Sequence, residues 1–154
     1  MKERKMICFD MDGTIADLYG CPDWLKMLND EDPTPYYLAD PMWDMDRLCE
    51  VLTALQFEGW TIAVVTWLSM NSSTDYKNAV RVAKQTWLNE QEFIYDEFHA
   101  VQYGTTKANC VRSKTDYAIL IDDNEKVRNG WTLGDTIDPT KGDLIAKLWD
   151  LLKE

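Results

Sequence analysis

Four short apolar segments along the chain have the length and composition of buried strands. They are MICFDM (6–11), TIAVVT (61–66), HAVQY (99–103) and YAILID (117–122). Near-continuous apolar strands are typical of a sheet covered on both faces, and such sheets are usually parallel. The pattern predicts a brief fifth strand near DTIDP (135–139).

Helical spacing of apolar residues follows or separates these strands. It occurs in DMDRLCEVLTALQFEG (44–59), in the stretch after NSST (71–74), in a short segment beginning at TTKANC (105–110) and in KGDLIAKLWDLLKE (141–154). In the second of these, Tyr76, Val80, Ala83 and Trp87 share one helix face. The alternation predicts one α/β domain over residues 1–154, with a doubly wound, Rossmann-like parallel sheet and helices on both faces.

One stretch, residues 19–43, interrupts this alternation. It is rich in proline, aspartate and aromatic residues, and it is longer than an ordinary strand-to-helix connection. We expect a small lid inserted after the first strand, lying over the strand ends, with DWLKML (23–28) as its only helix. Its aromatic residues, including Trp24 and Tyr36, either stack on a substrate or form the core of the lid itself.

The net charge of the chain and the length of its apolar segments limit the kinds of partner that it can bind. The net charge of −11 opposes wide contact with a phosphate backbone, so we expect no duplex nucleic acid as partner. A small anionic substrate remains compatible where local cations overcome the overall field. The apolar runs are shorter than the ~20 residues that span a bilayer, and the N-terminal one does not suit a signal peptide. We therefore expect a cytoplasmic protein without a membrane partner.

Cysteine and histidine usage argues against a zinc site. The four cysteines include no CxxC pair, and His99 is the only histidine. Reduced thiols in a cytoplasm fit this pattern. The sequence assigns no role to His99, at a strand start, or to Trp131, in the RNGW turn, and it does not address the oligomeric state.

Carboxylates follow two of the predicted strands. Asp10 and Asp12 are two residues apart, so they point the same way, and Asp122 and Asp123 end another strand. Ligands of doubly wound sheets bind at the carboxyl ends of the strands. At ~4 Å and an effective dielectric constant near 20, two carboxylates repel by roughly 4 kcal/mol. Such a group holds either protons or a cation, and an all-oxygen cluster suits Mg²⁺.

Two further polar residues fall at the same edge of the predicted sheet. Thr66 ends its strand, and Lys107 opens a helix, where a cation opposes the helix dipole and so does not stabilise the helix. Each residue alone has a structural explanation: Asp12 as a turn cap, Thr66 as a strand residue and Lys107 as a surface lysine. Their common position at the strand ends favours a phosphate and metal site.

Four segments, DMDGT, VVT, the lysine of GTTKANC and LIDDN, resemble the four motifs of the haloacid dehalogenase (HAD) superfamily. The resemblance covers nearly the whole chain except residues 19–43. It implies a Mg²⁺-dependent phosphomonoester hydrolase, of the HAD phosphatase type, that works through an aspartyl-phosphate intermediate.

The same resemblance implies the role of each residue. Asp10 is the nucleophile, and Asp12 is the general acid and base, with its backbone carbonyl also on the metal. Thr66 and Lys107 hold the phosphoryl group. Asp122 is a direct metal ligand, and Asp123 contributes directly or through water.

The substrate is less well specified. DMDGTIAD and the close pairing of GTTK with LIDDN are similar to 5'(3')-deoxyribonucleotidases, which favours a nucleotide or another small phosphomonoester. A small lid leaves an open site, so a nucleic-acid 3'-phosphate end or a phosphoprotein is the alternative, and a non-catalytic phosphate-binding module is the third. Trp67, Trp24 and Tyr36 are the candidate substrate contacts.

Overall fold

The computed structural model describes residues 2–153. Its strands are β1 (Lys5–Phe9), β2 (Ala16–Asp17), β3 (Asp40–Pro41), β4 (Trp60–Trp67), β5 (Glu97–Val101), β6 (Tyr117–Ile121) and β7 (Thr136–Ile137). Its helices are α1 (Trp24–Asn29), α2 (Thr34–Leu38), α3 (Met45–Phe57), α4 (Thr74–Glu90), α5 (Lys107–Val111), α6 (Glu125–Asn129) and α7 (Leu144–Leu151). A single 3₁₀ turn, Arg112–Lys114, follows α5.

Five parallel strands form the central sheet in the order β5-β4-β1-β6-β7. β1 lies in the middle, with Phe9 opposite Val64 of β4 and Ile121 of β6. This arrangement confirms the predicted parallel α/β fold, including the brief fifth strand. It also brings the residues that follow β1, β4 and β6 to one edge of the sheet.

The two faces of β1 pack against different helices. Ile7 and Phe9 belong to the larger core, which also contains apolar residues of α3, α4 and α7. Met6 and Cys8 point into a smaller core on the other face, which contains Ala108 and other residues of α5. The alternation follows from the two-residue repeat of a strand, and it confirms helices on both faces.

The insertion differs from the prediction in one respect. The expectation of a single helix was wrong, because α2 (Thr34–Leu38) forms in addition to α1. Prolines on either side of Thr34 made this segment look irregular, yet proline is tolerated in the first turn of a helix. The Asp32 carboxylate accepts a hydrogen bond from the Thr34 N–H and so fixes the turn into α2.

The insertion packs closely against the rest of the domain. β2 and β3 form a small antiparallel pair at its base. Tyr36 of α2 is buried in a cluster with Tyr76 and Val80 of α4. The insertion is therefore anchored on α4 beside the carboxyl edge of the sheet.

Two further expectations concern thiols and membranes. All four cysteines are unpaired, and burial raises the pKa of the Cys8 thiol to about 12. Within residues 2–153, no helix combines the length and the hydropathy that a membrane crossing requires.

Candidate active site

A tight turn directly after β1 positions the first two carboxylates. The Asp10 N–H donates to the Ile121 carbonyl at 2.9 Å, which joins the turn to the end of β6. Gly13 has a φ of 81°, and a Cβ placed there would collide with Oδ2 of Asp123. Only glycine fits both the left-handed backbone and the close approach of that carboxylate.

Asp10 is held from both sides. The Lys107 Nζ donates to its Oδ1 at 2.9 Å, and the Thr14 hydroxyl donates to its Oδ2 at 3.0 Å. Its side chain is 12% exposed, so one edge of the carboxylate remains open to a ligand. The carboxylate is thus oriented by donors on both oxygens and still accessible.

The residues after β6 complete the acidic group. Asp122 accepts from Lys107 Nζ at 2.9 Å and from the Asn124 N–H at 2.9 Å. The Arg128 guanidinium donates to the Asp122 carbonyl, which fixes the backbone at this point. The Asp123 N–H donates to the Thr14 hydroxyl oxygen at 3.3 Å. Thr14 therefore connects the turn after β1 with the turn after β6.

Asp10, Asp122 and Asp123 form a group that suits a metal ion. One carboxylate oxygen from each lies within 4.8 Å of the others. Three hard oxygen donors at such spacing match the ligands that Mg²⁺ takes, with water and phosphate oxygens filling the remaining positions. The Asp12 carboxylate is not a member of this group, so any contact of Asp12 with a metal would come from its backbone carbonyl.

Acid–base properties reflect the crowding of these carboxylates. Burial, together with the charge of Asp10, raises the pKa of Asp122 above its usual range. Burial and the neighbouring Asp10 carboxylate raise the pKa of Asp123 to about 7. Burial alone would lower the pKa of Lys107, but Asp10 and Asp122 outweigh it and raise that pKa. Lys107 therefore does not fully offset the repulsion among the Asp10, Asp122 and Asp123 carboxylates.

Asp12 pairs with a lysine that the sequence analysis missed. Lys84 of α4 is fully buried, and its Nζ donates to Asp12 Oδ2 at 2.9 Å and to Thr66 Oγ1 at 2.7 Å. Burial raises the pKa of Asp12, and Lys84 opposes that rise. The signal was present in the sequence: Lys84 is four residues after Val80 and three before Trp87, on the apolar face of α4.

Charges at the site do not balance within the chain. The side chains that contact one another here supply four carboxylates and two ammonium groups, Lys84 and Lys107. When all six are ionised, the group carries a net charge of minus two. A single divalent cation would balance it, so the donor set and the charge both fit Mg²⁺.

Two cavities open onto this group. The first, of about 450 Å³, is lined by Asp10 and Asp12 and also by Trp24 and Tyr36 of the insertion. The second, of about 400 Å³, lies beside it and shares Trp67 with it. Both volumes are within the range of small-molecule sites. Tyr36 packs on α4 and also lines the first cavity, so its contact with a substrate stays a prediction.

Trp67 lies between the two cavities and has clear structural contacts. Its Nε1 donates to the Thr105 carbonyl at 2.8 Å, and the Lys107 ammonium is 5.4 Å from its ring centroid. The ring of Tyr103, half exposed, is 4.9 Å from that of Trp67. Trp67 thus supports the segment that leads into α5, and Tyr103 presents the more open aromatic surface.

Trp131 and His99, to which the sequence assigns no role, both have defined contacts in the structure. Trp131 is buried, its Nε1 donates to the Ala118 carbonyl at 2.9 Å, and it lines the second cavity. His99 lies inside β5 and contacts the Glu97 carboxylate at 2.9 Å. His99 is not among the residues that line either cavity.

No family model and no curated protein matches the chain. Several solved structures do match the fold of the chain. A chain of the Pnkp1/Rnl/Hen1 complex superposes with a TM-score of 0.60 at 16% identity, over 89% of this chain and 46% of that one. A chain of the Pnkp1/Rnl/Hen1 RNA repair complex gives 0.55 at 16% identity, over 88% and 42%. The chain thus spans less than half the length of these two matches.

A third structure matches along its whole length. D,D-heptose 1,7-bisphosphate phosphatase from Burkholderia thailandensis superposes with a TM-score of 0.55 at 14% identity, over 97% of this chain and 99% of that one. Identities this low establish the fold rather than the activity. The chain has an α/β Rossmann-like fold that it shares with these structures.

Proposed function

We propose that the chain is a phosphomonoester hydrolase in which Asp10 forms an aspartyl-phosphate intermediate. The observation that carries the proposal is the placement of Asp10. Its carboxylate is oriented by Thr14 and Lys107, lies within ligand distance of Asp122 and Asp123, and is open to a cavity of about 450 Å³. A carboxylate is a weak nucleophile that needs no deprotonation at neutral pH, so orientation and nearby positive charge decide its reactivity.

The reaction proceeds in two displacements at phosphorus. An Asp10 oxygen bonds to the phosphorus while the bond to the leaving oxygen breaks, and Asp12 gives its proton to that oxygen. Asp12, now ionised, then accepts a proton from water as the water oxygen attacks the same phosphorus. The acyl phosphate bond breaks, inorganic phosphate leaves, and both aspartates return to their starting state.

Binding groups neutralise the phosphoryl charge. The Lys107 ammonium and the Thr66 hydroxyl lie at the site edge and are the donors to phosphoryl oxygens. Asp10, Asp122, Asp123 and the Asp12 carbonyl would hold Mg²⁺, which when bound reduces the repulsion between the phosphate and the carboxylates. Phosphoryl transfer depends mainly on such positioning and charge neutralisation.

The two cavities favour a small ester, such as a nucleotide, as substrate. Their volumes suit a small phosphorylated molecule, and aromatic side chains line both of them. A 3'-phosphorylated oligonucleotide is the second candidate, because one fold neighbour is a chain of the Pnkp1/Rnl/Hen1 RNA repair complex. The net charge of −11 opposes that candidate.

Phosphate release tests the proposal. The protein is assayed with and without Mg²⁺ on mononucleotides, sugar phosphates, p-nitrophenyl phosphate and a short 3'-phosphorylated oligonucleotide. We expect Mg²⁺-dependent release that Asp10→Asn abolishes and that Asp46→Asn, a change of the same kind on the exposed face of α3, leaves intact. Release that persists in Asp10→Asn contradicts the mechanism. Tight binding of these compounds without turnover would indicate a phosphate-binding module instead.

A further inference from the structure

Lys84 is a buried charged residue next to the proposed active site. It is fully buried, although lysine is almost never buried without a specific partner. Its Nζ has three oxygen partners: Asp12 Oδ2 at 2.9 Å, Thr66 Oγ1 at 2.7 Å and the Trp67 carbonyl at 2.8 Å. An ammonium group has three N–H donors, so all of them are used.

Those three partners come from two different segments of the site. Asp12 belongs to the turn after β1, whereas Thr66 and Trp67 end β4. Lys84 reaches them from α4, and its Nζ lies 5.3 Å from the ring centroid of Tyr36 in the insertion. One ammonium group thus connects four elements around the proposed phosphoryl site, while its complete burial keeps it out of contact with a substrate.

Hydrogen-bond direction gives this contact a consequence for Thr66. Because the Lys84 ammonium can only donate, the Thr66 oxygen accepts from it and the Thr66 hydroxyl proton is free to point elsewhere. Lys84 therefore leaves the Thr66 hydroxyl as a donor for a phosphoryl oxygen. It also engages one oxygen of Asp12, Oδ2, which leaves Oδ1 to carry the proton for the leaving group.

We propose that Lys84 is a positioning residue that sets the orientation of the general acid Asp12 and of the phosphate donor Thr66. The inference rests on the proposed phosphatase function and adds to it a residue that acts through others. It predicts that Lys84 matters most when the leaving group needs the proton from Asp12, because a mispositioned acid costs little when the leaving oxygen is stable as an anion.

Leaving-group dependence separates this role from a merely structural one. Lys84→Met and Lys84→Gln are compared with the parent protein on p-nitrophenyl phosphate, whose leaving group needs little protonation, and on an alkyl phosphate, whose leaving group needs it fully. We expect kcat/KM, which reports only the first displacement, to fall by about 100-fold on the alkyl ester, the scale of general acid catalysis, and by only a few-fold on the aryl ester. Lys77→Met, also on α4 but half-buried, leaves both rates unchanged.

Two outcomes of this assay are distinguishable. If the parent protein releases phosphate neither from these two esters nor from the mononucleotides, sugar phosphates and 3'-phosphorylated oligonucleotide named above, the phosphatase proposal fails. If the parent is active but the Lys84 variants lose the same factor on both esters, or lose nothing, the positioning role is wrong and the phosphatase proposal stands. A Mg²⁺ dissociation constant close to the parent value in the Lys84 variants is expected, since Lys84 is not bonded to the Asp10, Asp122 and Asp123 group.

A measurement on the folded protein covers the case in which the variants fail to fold. Nitrogen-15 NMR of the lysine side chains detects an ammonium group whose exchange with water is slowed by hydrogen bonds. We expect one such signal from Lys84 that shifts in Asp12→Asn and in Thr66→Val, but not in Asp46→Asn. The inference is wrong if no Lys84 signal is detected, or if its chemical shift is the same in Asp12→Asn, in Thr66→Val and in the parent protein.

Discussion

The Thr14 hydroxyl donates a hydrogen bond to Oδ2 of Asp10 over 3.0 Å inside the protein, where Thr14 is fully buried. The same oxygen accepts from the Asp123 N–H over 3.3 Å. One small side chain thus joins the proposed nucleophile to the loop that carries two further carboxylates. Thr14 therefore orients Asp10 together with Lys107.

Thr14→Val keeps the shape of the side chain and removes both hydrogen bonds. We expect the free energy of unfolding to fall by about 1 to 2 kcal/mol, since a buried donor and acceptor lose a partner. We expect kcat to fall by about 10-fold, in line with the loss of ~1.4 kcal/mol of orientation of Asp10. Denaturant titration and steady-state kinetics measure the two effects. Thr14→Ser retains the hydroxyl and serves as control; equal losses in both variants would assign the effect to packing.

Tyr103 offers an exposed aromatic surface next to the site. Its ring is half exposed and lies 4.9 Å from that of Trp67, at the border of both cavities. For substrates with a planar leaving group, we expect Tyr103→Ala to raise KM by about 2-fold to 10-fold, matching the ~0.5 to 1.5 kcal/mol of an aromatic pair, with kcat unchanged. Tyr103→Phe retains the ring and should behave like the parent. A lowered kcat with unchanged KM would place the leaving group elsewhere.

We expect Mg²⁺ to stabilise the folded protein, because the proposed metal site is formed by the native carboxylate group and is absent from the unfolded chain. At a concentration about 100 times its dissociation constant, it adds ~2.7 kcal/mol to the free energy of unfolding. For a chain of this size the unfolding temperature rises by roughly 5 to 10 °C. Thermal unfolding with Mg²⁺ and after chelation measures this shift. Asp122→Asn should remove most of it and Asp46→Asn none; an equal shift in both variants would refute the site.

An ion pair far from the site gives a pH dependence with a defined sign. The side chain and backbone N–H of Arg4 lower the pKa of the Asp116 carboxyl. A lowered pKa in the folded state contributes stability above the unfolded value of about 3.9, and that contribution is lost as the pH falls through the folded-state pKa.

Carbon-13 NMR titration of the Asp116 carboxyl tests this ion pair. We expect its midpoint below the usual aspartate value, and we expect Arg4→Gln to raise it. The pair is exposed, so its share of the total stability is small. A midpoint that Arg4→Gln does not move would show that the pair is not formed in solution.

Periodicity along the chain was enough to predict the architecture. Each of the five predicted strands is present, since near-continuous apolar runs fit a sheet buried on both faces. Asp10, Thr66, Lys107 and Asp122 meet because the carboxyl ends of parallel strands share one edge. Positions immediately after strands are therefore predictable from the sequence alone.

Long-range pairings were not predictable in the same way. Lys84 lies on the apolar face of α4, where its charge stands out, but its partners, Asp12 and Thr66, are set by how α4 packs on the sheet. Helix α2 was missed because prolines in a first turn resemble an irregular loop. Thr14 was overlooked because a threonine in a turn is an ordinary residue until its hydroxyl is found between two acidic segments.

The most direct test of the account is whether Asp10 becomes phosphorylated. Asp12→Asn is mixed with p-nitrophenyl phosphate and Mg²⁺, conditions under which the first displacement needs no acid while hydrolysis of the intermediate lacks its base. The reaction is quenched with borohydride, which reduces an aspartyl phosphate to homoserine, and peptides are analysed by mass spectrometry. The account predicts a burst of about one nitrophenolate per protein molecule together with homoserine at position 10. A burst or sustained turnover that leaves Asp10 unmodified would contradict it.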